Sequence, residues 1–167
     1  VSFALVAINM PLAPAVAGLY TRGEKELLQQ LVTKSARVAF LGALVIALGL
    51  ILFSRWMLLI FGKAFIGGRL VLSILSVGWL IDVGMGPVGL LLNMTGYEKE
   101  TAKCVAIAIT INVVLGVLLT TILQSEGAAI AYATSTAICN ILLHVLVYKK
   151  LNIIASPLYF RRNSLKS

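Results

Sequence analysis

Asp82 is a carboxylate in the middle of an apolar stretch, 70–96, that is long enough to cross a bilayer. A charge at the centre of a membrane helix costs roughly 2.5–3.5 kcal/mol on the insertion scale, so such a residue normally faces a bundle interior or a wet cavity. Gly78 and Gly86 lie four residues to either side and leave the stripe around the carboxylate bare of side chains. Two readings follow. Asp82 is an ionisable group in a transport cavity, or it is a structural partner for an Arg, Ser or Thr of a neighbouring helix. Gly86–Pro87 follows immediately and interrupts the backbone hydrogen-bond ladder, which makes this step a hinge candidate or a fixed kink.

Two asparagines have similar settings. Asn140 shares a narrow helical face with Ala129, Ala133, Ala137 and His144, and Asn112 shares one with Gly116 and Thr120. Small residues at this spacing let backbones approach closely, and an amide can hydrogen-bond across to a partner helix. Asp82, Asn112 and Asn140 are therefore the candidates for a polar cavity wall. His144 reads as an imidazole near the end of its span, and Cys104 and Cys139 as buried free thiols without metal-ligand spacing. Asp82 has no second carboxylate nearby, and there is no Ser/His/Asp grouping, phosphate-cradling loop or metal-ligand pattern. An enzyme is not expected, nor is a cofactor or metal.

The elements that must hold these residues are membrane helices. Of 167 residues, 60% are hydrophobic and only 12% charged, with a mean hydropathy of +1.01. A soluble chain is about a quarter charged. The net charge of +8 is spread over the flanks of apolar runs, which suits lipid headgroups and argues against nucleic acid.

The expected fold class is all-α, a polytopic transmembrane helix bundle. Residues 1–20 read as the end of a truncated membrane helix and 21–37 as a cytoplasmic amphipathic segment, with Leu27, Leu28, Leu31 and Val32 on one face. Four spans follow at 38–61, 70–95, 104–124 and 128–148, and then a basic tail, 149–167. Lys and Arg alternate strictly with the spans, eleven on one side and three on the other. The positive-inside rule then places 21–37, 97–103 and the C-terminus in the cytoplasm. No secretory leader is recognisable, and the expectation is the C-terminal part of a longer polytopic protein.

Read in order, APAVAGLYTRGEKELLQQL, MLLIFGKAFIGG, GPVGLLLNMTGYEKE and INVVLGVLLTTILQSEGAAIAYATS resemble the C-terminal portion of a polysaccharide flippase of the O-antigen or teichoic-acid type. That group belongs to the multidrug/oligosaccharidyl-lipid/polysaccharide exporter superfamily. The resemblance implies two pseudo-symmetric lobes around a central cavity, with this chain supplying most of the second lobe. The implied substrate is a polyprenyl-pyrophosphate-linked oligosaccharide, flipped across the cytoplasmic membrane by alternating access, with membrane lipids and the N-terminal lobe as the other partners. The turn TTILQSEG lacks the Pro often found there, and Arg55, Lys63 and Arg69 read as interfacial, so pyrophosphate-binding cations have no place in this stretch. A cation-coupled multidrug exporter of the same superfamily is the alternative, with Asp82 as its ion site, and a membrane glycosyl- or acyltransferase is a more distant one.

Overall fold

The computed structural model describes residues 2–61 and 67–155, with side chains from Pro11 onward except at Met57 and Phe61. These residues are helical along almost their whole length, and no strand occurs among them. The loop around Lys63 and the tail beyond Ala155, with Arg161 and Arg162, lie outside the described residues.

Helix α1, Ser2–Thr21, contains Pro11 and Pro14 and ends where the Thr21 hydroxyl donates to the Ala17 carbonyl at 3.0 Å. Gly23, at φ +72°, turns the chain into α2, Lys25–Leu52. This helix runs without a break through the expected boundary at residue 37. The amphipathic segment is the first half of α2 itself, because nothing between Lys25 and Ala36 disfavours a helix, and Leu28, Val32, Thr33 and Ala36 bury against neighbours. The break falls instead at Phe53, and α3 continues as Ser54–Phe61. Ser54 is fully buried there, donates to the Ile51 carbonyl at 2.9 Å and accepts from Arg69 Nε at 3.1 Å.

The stretch around Asp82 is two helices, α4 (Arg69–Gly84) and α5 (Val88–Met94), bent by 43°. Gly86 takes φ +75°, a conformation open to glycine, and its N–H closes on the Val83 carbonyl at 3.0 Å. Pro87 then opens α5, where its missing N–H costs nothing.

Helix α6 runs from Glu98 to Leu151, starting earlier and ending later than the expected spans because Glu98 and Glu100 suit a helix N-terminus and Lys149 and Lys150 a C-terminus. It is not straight. Gln124, at φ 50° and ψ −125°, breaks it into arms 98–123 and 125–151. A straight helix would hold Asn112 and Ser135 about 34 Å apart, at about 1.5 Å of rise per residue. Instead Asn112 donates to Ser135 at 2.9 Å, and Lys150 Nζ sits 5.4 Å from the Tyr97 ring centre. The arms form a tight antiparallel hairpin, with Gly127 against the Leu119 carbonyl at its tip.

Helix α4 packs between α2 and the α6 hairpin, and α5 packs between α1 and α6. The densest core lies at one end of the bundle, where Leu12 and Val16 of α1, Leu28 and Val32 of α2, Leu91 and Leu92 of α5 and Val147 of α6 meet. Outward faces are apolar as well: Val38, Leu41, Val45 and Leu52 of α2 and Val113, Val117 and Ile122 of α6 are exposed. An apolar exterior of this extent suits lipid, not water. Lys25–Leu52 and Glu98–Leu151 are each long and apolar enough to cross a membrane, and the bent pair α4–α5 makes a third such element.

Candidate functional site

The groove is built where α4 meets the α6 hairpin. Gly78 of α4 touches Ala133 so closely that a Cβ there would come within 2.9 Å of the alanine methyl. That contact sets the helix separation, and one turn further on it brings Asp82 against Asn140. Asn140 Nδ2 donates to Asp82 Oδ1 at 2.5 Å and to its own helix at the Thr136 carbonyl, 3.1 Å. Both contacts advance in the same direction along the chain, so α4 and the second arm of α6 are parallel, as alternate spans must be.

Across the hairpin, Asn112 Nδ2 donates to Ser135 Oγ, which in turn donates to the Tyr132 carbonyl at 3.0 Å. Asp82, Asn112, Ser135, Thr136 and Asn140 line one groove of ≈ 340 Å³ together with apolar Val105, Ala108 and Ile109. The structure thus places the three cavity candidates on one wall. Asn140 and Ser135 are buried and Asp82 and Asn112 half-buried.

An ionised carboxylate can accept about four hydrogen bonds. Among the described residues Asp82 has the Asn140 amide as its donor and no cationic side chain. Asp82 lines the groove, so a water, a cation or a hydroxyl group there can supply the remaining hydrogen bonds. The wall therefore presents hydrogen-bonding groups and one acidic side chain to the groove. Residues that could hold a metal by clusters of His, Cys, Asp or Glu do not occur among the described residues.

His144 stands outside this wall, with Nδ1 buried and without a hydrogen-bond partner among the described residues. Gly116, expected to admit a close neighbour, meets none. Ser135 and Thr136 were not singled out from sequence. Ser135 shares its helical face with Ala131 and Cys139 at four-residue spacing, a small-residue signal of the same kind as the alanine seam. Comparison with protein families, characterised proteins and solved structures finds no match.

Proposed function

We propose that this chain forms part of the C-terminal lobe of a membrane transporter that flips a polyprenyl-pyrophosphate-linked oligosaccharide across the cytoplasmic membrane. The observation that carries this reading is the polar wall of Asp82, Asn140, Asn112 and Ser135 inside helices whose outer faces are apolar. A flippase has to shelter a hydroxyl-rich head while its lipid tail stays in hydrocarbon, which calls for this division of surfaces. The motif resemblance supplies the substrate class, and the wall supplies hydrogen-bond acceptors and donors suited to sugar hydroxyls.

Asp82→Asn in the full-length protein tests it. Transport should fall more than tenfold, with the membrane level and thermal midpoint close to the parent's. Undiminished export by that variant would remove Asp82 from the transport path. The same carboxylate with no cationic partner among the described residues favours, as second reading, a cation-coupled exporter of the same superfamily. Loss of ion-driven drug efflux in that variant, with glycan export unaffected, would select it.

A further inference from the structure

The last described residues do not trail off the bundle. At Asn152 (φ 58°, ψ 36°) the chain leaves α6 and runs non-helically through Ala155. Ile153 and Ala155 are almost completely buried in the core at that end. Between them, the backbone of Ile154 is held by a single side chain. Gln29 Nε2 of α2 donates to the Ile154 carbonyl at 2.7 Å, and the Ile154 N–H donates to Gln29 Oε1 at 2.9 Å. The side-chain amide thus satisfies both backbone groups of one residue, as a neighbouring strand would. Gln29 is itself held by Thr33, whose Oγ1 accepts from Nε2 at 3.0 Å and donates to the Gln29 carbonyl at 2.8 Å.

The next residue reaches the bend. The Ala155 carbonyl lies directly on Gly86, where any side-chain carbon would overlap it. Gly86 is the positive-φ residue at which α4 and α5 change direction by 43°. Residues 152–155 therefore tie three things together: the end of α6, the start of α2, and the bend below Asp82.

We infer that 152–155 is a strap that latches the α4–α5 bend. While Gln29 grips Ile154, the Ala155 carbonyl occupies the space into which the Gly86 turn would have to move, so the bend is held at one angle. Release of the strap frees it, and Asp82, one helical turn before Gly86, moves with the end of α4. The position of residues 152–155 thereby governs the shape of the polar wall. This rests on the hinge reading of Gly86–Pro87, not on which solute is carried.

The test reads the bend itself. Spin labels at Val77 and Met94, both exposed and on opposite sides of the bend, report its angle by distance distribution in the full-length protein in nanodiscs, in a background with the native cysteines replaced. The parent should show one narrow distribution. Truncation after Asn152 should add a second, displaced population, and Gln29→Leu, which removes both bonds at similar volume, should do so in part. An unchanged narrow distribution in the truncated protein overturns the latch. Broadening by truncation with none in Gln29→Leu overturns the role of Gln29. Because no solute is present, failure here is separate from failure of the transport reading, which Asp82→Asn decides.

Discussion

Among the described residues, the Asp82 carboxylate and the Asn140 amide make the one side-chain hydrogen bond between α4 and α6. A bond of this kind in a membrane is worth about 0.6 kcal/mol on average and about 1.7 at most, since an unfolded helix in lipid finds other partners. Asp82 and Asn140 therefore hold the wall's geometry more than the bundle's stability. A double-mutant cycle of Asp82→Ala and Asn140→Ala, followed by denaturation in detergent, should give a coupling of about 0.5–2 kcal/mol. Strict additivity would mean that the two side chains do not meet. The Asn112–Ser135 bond lies within one hairpin and contributes to its register instead.

The hairpin turns without a Pro and without a Gly at its sharpest point. Gln124 bears the turn, at φ 50° and ψ −125°, a region that residues with a Cβ avoid. Glycine reaches it freely. Gln124→Gly should therefore be neutral or raise stability by about 1 kcal/mol, read as an upward shift of the thermal midpoint. A clear fall would show that the turn is shaped otherwise. Gly127 has no such latitude, because the Leu119 carbonyl fills the space of its missing side chain. The bend between α4 and α5 follows the opposite rule: there the special conformation falls on Gly86, and Pro87 begins the next helix. Both breaks have local causes and both fall where residue types announce them, the first at the polar QSEG turn and the second at Gly86–Pro87.

For the whole molecule, α4 and the second arm of α6 run parallel, and the start of α2 meets the end of α6 through Gln29 and Ile154. This is the arrangement of an alternating bundle, with the start of α2, Tyr97 and the end of α6 at one face and the Gln124 turn at the other. The charge bias predicts that the first face is cytoplasmic. In intact cells, a membrane-impermeant thiol reagent should label Ser125→Cys and spare Lys99→Cys, both exposed positions. The reverse pattern would invert the orientation.

Helix content, the long apolar runs and the groups worth watching follow from sequence, because hydropathy and residue type act locally: a carboxylate among leucines is costly wherever the chain goes. The bend at Gly86–Pro87 was legible for the same reason. Helix ends were less so, since α2 passes through Arg37 and α6 through the charged 98–103 stretch, where good helix formers outweigh the change in polarity. Which groups meet was a tertiary decision. Gly78 sets how near α4 comes to Ala133, and that distance alone joins Asp82 to Asn140 and leaves a groove with Asn112 and Ser135 on its wall. Gln29 has its partner 125 residues away, and a contact of that span is written in packing, not in any local pattern.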